Sequence, residues 1–222
     1  MIIGISGKAT SGKDTVAKLL QVVFHNRIMG LKDNDPALLN MLDAPGVMSA
    51  LNNECGFPIQ RFAGPLKRHV ADLLGITVEK LESQEYKTKT LGGEWNYTKS
   101  YEAKCVHHSM TVRDLLIAIG NGAREYVHTD IWVNALLSTY QPGNDWIIPD
   151  VRYPNELKRI ELYGFSIRVN RPGIKLINSI SETGLDNATF DYTIKNTGTI
   201  SDLFTNVIDI LNDYEHSDTA VD

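Results

Sequence analysis

The chain is poor in cysteine, with only Cys55 and Cys105 in 222 residues and no CxxC pair. That excludes a disulfide scaffold, and the usage is that of a reducing, cytoplasmic compartment. Long apolar runs are also missing; none approaches the ~20 residues of a membrane span, so no membrane partner is expected. The opening Met1-Ile2-Ile3-Gly4-Ile5-Ser6 lacks a basic stretch and a cleavage site, and does not read as a signal peptide. Positive charge is not in excess: 22 Lys and Arg face 27 Asp and Glu, a formal charge of −5. Such a chain can bind a polyanion locally, but no extended nucleic-acid face is expected. Internal repeats and low-complexity tracts are absent. What remains is 42% hydrophobic and 22% charged, an ordinary globular composition, long enough to bury about 72% of its extended surface without a covalent staple.

The order of segments predicts the fold class. Ile2 to Ser6 is a short apolar strand running into a Gly-rich loop, and Asp14 to His25 places Val16, Leu19, Leu20, Val23 and Phe24 at helical spacing. Residues 29–57 are rich in Asn, Asp, Pro and Gly, with a short helix expected around Ala37 to Leu42. A strand is predicted at Pro58 to Ala63, then a helix ended by Gly75. Gln84 to His108 has no period and reads as a mobile excursion. Helices return at Thr111–Ile119, Ile131–Tyr140, Asn155–Tyr163 and Ile200–Leu211; strands are predicted at Trp146–Asp150, Ser166–Val169 and Tyr192–Ile194. Pro149 donates no ladder hydrogen bond and is taken to mark a strand end. Alternating strands and helices predict an α/β three-layer fold with a mainly parallel sheet and helices on both faces. The organisation expected is one domain over 1–215, with insertions near 29–57 and 84–108 and a frayed tail at 216–222. The edges of such a sheet permit a homodimer without requiring one.

Gly7-Lys8-Ala9-Thr10-Ser11-Gly12-Lys13 matches G-x-x-x-x-G-K, following a predicted strand and opening a predicted helix. Glycines let the backbone curl so that successive N–H groups point at phosphate oxygens, and the helix N-terminus adds partial positive charge. Lys13 would reach the β- and γ-phosphates. Asp14 follows it where a hydroxyl is usual, with Thr15 one position later. The carboxylate of Asp14 either complements the helix dipole, or holds Mg²⁺ beside the phosphates or positions the acceptor.

A phosphate loop alone implies only a nucleoside triphosphate. No N-K-x-D tetrapeptide is present, which argues against a GTPase switch. A kinase needs cationic groups around the transferred phosphoryl and a cover against water. Arg113, Arg124 and Arg152 are the candidates, against the alternative that each is a solvated charge. Asp150 ends a buried strand, as a carboxylate near Mg²⁺ would, or else caps the next helix. Trp132 stacks on a base or belongs to the core. Cys105, His107 and His108 lack a fourth ligand at metal spacing. The residues alone leave three readings: a nucleotide kinase, a P-loop kinase for another small phosphorylated acceptor, and a non-catalytic nucleotide-binding regulator.

Taken as ordered blocks, the chain resembles the phage-type deoxynucleoside monophosphate kinases, P-loop enzymes that phosphorylate dNMPs with ATP. The blocks are Gly7 to Thr15 with its Lys13-Asp14-Thr15 ending, Phe62-Ala63-Gly64-Pro65-Leu66-Lys67, Thr111 through Gly120, Asp130-Ile131-Trp132, Asp150 through Glu156, and Phe190 through Thr199. The resemblance implies that Ser11, Gly12, Lys13, Asp14 and Thr15 bind ATP phosphates and Mg²⁺, with Asp150 near the metal. It implies a dNMP site shaped by Arg113, Gly120, Asn121 and Trp132, with Arg113 or Arg124 holding the acceptor phosphate. Asp150, Arg152 and Glu156 would sit by the transferring phosphate, and Asn196 to Gly198 beside the adenine. Asp114, Ile117 and Asn121 depart from the family pattern, which has a basic residue, Gln and Thr there.

Overall fold

A computed structural model describes residues 1–37, 39, 42, 44, 46–101, 104–174 and 180–218. In chain order the elements are β1 (Ile2–Gly7), α1 (Lys13–Ile28), α2 (Val47–Glu54), α3 (Ala63–Leu74), α4 (Val78–Glu82) and α5 (Gln84–Thr88). There follow β2 (Tyr97–Tyr101), β3 (Lys104–His108), α6 (Val112–Tyr126), α7 (Ile131–Leu137) and β4 (Trp146–Val151). The chain closes with α8 (Pro154–Ile160), β5 (Gly164–Asn170), α9 (Ile180–Thr183), β6 (Tyr192–Lys195) and α10 (Ile200–Asp218). Two compact units result, residues 1–61 with 140–222, and residues 62–139.

The first unit is built on a four-stranded sheet of order β4-β1-β5-β6, parallel throughout. Ile2, Ile3 and Ile5 are fully buried, as expected of a central parallel strand covered on both faces. Ile3, Ile5, Ile167, Val169 and Ile194 meet α1 and α10 on one face. On the other, Ile160 of α8 sits against Gly4. The result is the helix–sheet–helix layering the segment order predicted.

Helix α1 is buried around most of its circumference, so the polar groups it carries inside need partners there. Gln21 donates through Nε2 to the Phe57 carbonyl at 2.9 Å and Asn26 through Nδ2 to the carbonyls of Asp33 and Asp35 at 3.2 Å. Phe57 stacks on Phe24 with centroids 3.5 Å apart. These contacts fasten the segment after α1 to the core. The short helix expected at Ala37 to Leu42 falls partly outside the described residues.

Three expectations are corrected. Pro58 to Ala63 is not a strand: residues 58–60 make one parallel bridge, Ile59 to Ile147, and α3 begins at Ala63. Pro65 suits the first helical turn, where its missing N–H costs nothing. Pro149 does not end β4, which continues to Val151; instead the pairing with β1 slips between Gly4 and Ser6. A missing donor is accommodated by that irregularity rather than by termination. Lastly, the aperiodic stretch 84–108 contains regular elements in its described residues.

That stretch lies in the second unit. It contains α5 and an antiparallel pair, β2 with β3, in which Tyr97 stacks on His108 at 5.1 Å and Thr98 Oγ1 bonds His107 Nδ1 at 2.9 Å. Cross-strand pairs of this kind stabilise a hairpin without the hydrophobic alternation that makes a strand visible in sequence. Helix α3 ends as predicted at Gly75, in the left-handed region at φ 62°. Helix α6 runs on to Tyr126, past Gly120, where α3 comes close: a Cβ there would lie 3.0 Å from Leu66 Cδ2. Val70, Ala71, Leu81, Val112 and Leu115 form this unit's own core. At the C-terminus α10 runs through Asp218, so residues 216–218 of the expected tail lie within the helix; 219–222 lie outside the described residues. No helix among the described residues is long and apolar enough to cross a membrane.

Candidate functional site

In the first unit, the loop between β1 and α1 turns on two left-handed residues, Thr10 at φ 62° and Gly12 at φ 98°. Thr10 is the sole described non-glycine residue with positive φ, a conformation that costs of order 1 kcal/mol or more and persists where the surroundings impose it. The turn is held from outside by Asn196, whose Nδ2 donates to the Ser11 carbonyl at 2.8 Å. A Cβ on Gly12 would collide with that same amide, so only glycine fits. Ser11 is 1% exposed and its Oγ has no hydrogen-bond partner. A buried hydroxyl without a partner is costly, and here it belongs to a loop that opens a helix of 16 residues.

Lys13 is 8% exposed, an unusual degree of burial for a lysine. Its Nζ lies 3.6 Å from Asp14 Oδ2, and Arg61 NH2 lies 2.9 Å from Asp14 Oδ1. Burial alone would raise the Asp14 carboxyl, but the charges of Arg61 and Lys13 override it and hold the group below the ordinary carboxylate range. Arg61 reaches this place because residues 58–60 bridge the free edge of β4, with Gln60 N donating to Ile147 O at 2.8 Å. Asp150 is 9% exposed, next to Val151, which stands in register with Ser6 at the end of β1.

Among the described residues no cluster of three or more ligating side chains is present. Magnesium is commonly held by one or two carboxylates, with phosphate oxygens and waters completing the octahedron. Asp14, ionised and beside the loop, fits that pattern as a hard oxygen donor. Thr15 lies on the first turn of α1, as a hydroxyl donor should.

Arg152 follows β4 and is about one-third exposed; its NH1 donates to Glu182 Oε1 at 2.8 Å. Glu156, 2% exposed, turns its Oε2 to the N–H groups of Arg152 (2.8 Å) and Tyr153 (3.1 Å), capping α8. Asn196 and Gly198 line a cavity of about 190 Å³ with Thr197, Asp202 and Asn206. The residues of the β1–α1 loop and Asn196 are thus brought together in one unit.

Arg113, Gly120, Asn121, Arg124 and Trp132 belong to the second unit. Arg113, Ile117, Gly120, Asn121 and Arg124 recur along α6 at helical spacing and share a face. Gly120 is the convergence point: its carbonyl accepts from Trp132 Nε1 at 3.0 Å and from Arg124 NH1 at 3.4 Å. Trp132 is 7% exposed, which leaves little ring surface for a base and makes it chiefly a strut between α7 and α6. Arg113 donates to Gln84 Oε1 at 3.0 Å. Asp114 forms a capping box with Thr111: its N–H donates to Thr111 Oγ1 at 3.1 Å while its Oδ2 accepts from Thr111 N at 3.0 Å. Hydrogen bonds from the Thr111 side chain and backbone hold its carboxyl low.

No protein-family model and no curated protein matches this chain. Sequence reading overlooked Arg61, although it directly precedes the Phe62-Ala63-Gly64-Pro65 block. It also overlooked Glu182, Asp186 and Arg168, none of which carries a local signal. The two T-x-x-D caps, Thr111/Asp114 and Thr199/Asp202, were overlooked as well, although their spacing is the signal that could have found them.

Proposed function

We propose that the protein is an ATP-dependent phosphotransferase of the P-loop kinase type, which phosphorylates a deoxynucleoside monophosphate. The observation that carries this reading is the β1–α1 loop: a left-handed turn, a buried lysine and a buried, unpartnered serine hydroxyl at a helix N-terminus. Backbone N–H groups at such a turn and the helix dipole favour a polyphosphate, and Lys13 supplies the matching charge. Mg²⁺, when bound, would neutralise charge on the β- and γ-phosphate oxygens.

The residues of the chain do the remaining work. Asp14 stays ionised through Arg61 and Lys13 and so remains able to hold a cation at pH 7. Arg152, at the end of β4, supplies the guanidinium that stabilises charge on the phosphoryl in flight. Arg124 and Arg113, on the exposed face of α6, bind the acceptor phosphate. No strong base is required, because a monophosphate oxygen is already anionic at neutral pH. Cytoplasmic DNA-precursor synthesis is the setting this chemistry suits.

The test is an acceptor panel: purified protein, ATP and Mg²⁺ with each dNMP, NMP and nucleoside. ADP formation that depends on a dNMP is the expected result. ADP formation with another phosphorylated acceptor alone would replace the substrate class, and ATP binding without turnover on any acceptor would make the protein a regulator.

A further inference from the structure

One segment after β5 carries two acidic residues four positions apart, and both are turned onto the phosphate loop and its neighbours. Glu182, on α9, accepts a hydrogen bond from the Ala9 backbone N–H through Oε2 at 2.8 Å and one from Arg152 NH1 through Oε1 at 2.8 Å. Its side chain is only 9% exposed. Asp186 accepts from Lys8 Nζ at 3.1 Å and from Arg168 NH2 at 3.2 Å, while Arg168 NH1 donates to Ser6 Oγ at 2.9 Å.

Ala9 N–H and Arg152 are, on the reading above, donors intended for phosphate oxygens. A carboxylate accepts from a backbone N–H and a guanidinium with the same chemistry as a phosphate does. Both Glu182 oxygens are thus engaged by groups that a triphosphate would need. Two anions cannot share these donors without strong repulsion at such short range. Asp186 ties the same segment down one turn later. Beside it lies a cavity of about 440 Å³ bordered by Lys8, Arg168, Asn170 and Phe190, so the segment has space beside it in which to shift.

We propose that Glu182 is an internal occupant of the phosphate site, an autoinhibitory carboxylate that a nucleoside triphosphate displaces from Ala9 N–H and Arg152. This rests on the phosphate-binding reading of the loop. Its consequence is that the free protein holds Arg152 away from phosphate, and that removing the carboxylate tightens polyphosphate binding. A purely structural clasp would do the reverse, since losing it would loosen the loop.

The experiment measures binding of inorganic tripolyphosphate and of ATP by calorimetry to the wild type, Glu182→Gln and Glu182→Ala. Glu182→Gln keeps the shape of the side chain and removes the charge. Tightening of about tenfold is expected in both variants, the usual worth of one charge-assisted contact. An unchanged or weaker Kd overturns the proposal. Hydrogen exchange on the wild type decides independently of how the variants fold: exchange across 180–186 should rise when tripolyphosphate binds, and slower exchange there overturns displacement. If wild type and variants alike bind neither probe, the phosphate reading of the loop fails, and this inference with it. Binding that the substitutions leave unaltered removes the inference alone.

Discussion

The loop before α1 and the outward face of α6 are both candidate anion sites, yet they are made differently. At the loop, recognition is a property of the backbone. Left-handed turns at Thr10 and Gly12 direct the chain, Asn196 clamps it, and the two side chains that matter most, Ser11 and Lys13, are buried. On α6, recognition would rest on side chains of one helix face: exposed Arg113 rests on a glutamine, half-buried Arg124 on a helix carbonyl, and Ile117 is 54% exposed. A backbone site is rigid and indifferent to what lies beyond the phosphates. A side-chain face can be retuned residue by residue without disturbing the fold. On the proposed function, the first would serve a shared phosphate donor and the second a variable acceptor.

Substitutions can break this contrast, beginning with the strongest effect. Lys13→Ala should lower kcat/KM by ~10³-fold for every acceptor alike, as removal of a transition-state charge partner does; an effect confined to one acceptor would place Lys13 outside the shared machinery. Arg152→Ala should cut kcat at least ~10²-fold, well beyond the loss of calorimetric ATP affinity, which should stay within about tenfold. An unchanged kcat would remove Arg152 from the reaction. Arg124→Ala should raise the acceptor KM about tenfold or more, with the KM for ATP unmoved. Equal damage to both would erase the distinction between the two regions.

Two smaller effects sharpen the picture. Asp114→Ala removes one half of the α6 capping box and should lower Tm by about 2–4 °C through the loss of about 1 kcal/mol. A change in base preference at constant Tm would instead make Asp114 a reader of the acceptor. For Asp14 the sign follows from its depressed carboxyl. Stabilisation by Arg61 and Lys13 is complete above the ordinary carboxylate range and fades as acid protonates the group. Thermal melts of wild type and Asp14→Asn should therefore differ near pH 7, with the gap beginning to close only as the pH falls below about 4; a gap independent of pH would mean that the ion pair contributes nothing.

The parallel sheet was legible because buried strands such as Ile2 to Ser6 announce themselves as apolar runs. The antiparallel pairing of β2 with β3 was not, since its stability comes from partners across the pair, Tyr97 with His108 and Thr98 with His107. Gly7 to Lys13 was legible because its spacing is dictated by a single local turn. Arg61, by contrast, reaches Asp14 only through an edge bridge at Ile59 that no local pattern encodes. Pro149 misled for a related reason: a lost donor can be absorbed by a slip in register as well as by a strand end.

By itself, then, the sequence determined the class of fold, the position of the loop and the cation that crowns it, because periodicity and short-range turn chemistry are local. Only the tertiary structure decided which charges face one another. Glu182 meets Ala9 and Arg152, and Asp186 meets Lys8 and Arg168, across gaps of 30 residues in one pair and more than 170 in two others. Electrostatic pairing depends on distance in space, and a carboxylate carries no mark in the chain of which donor it will find.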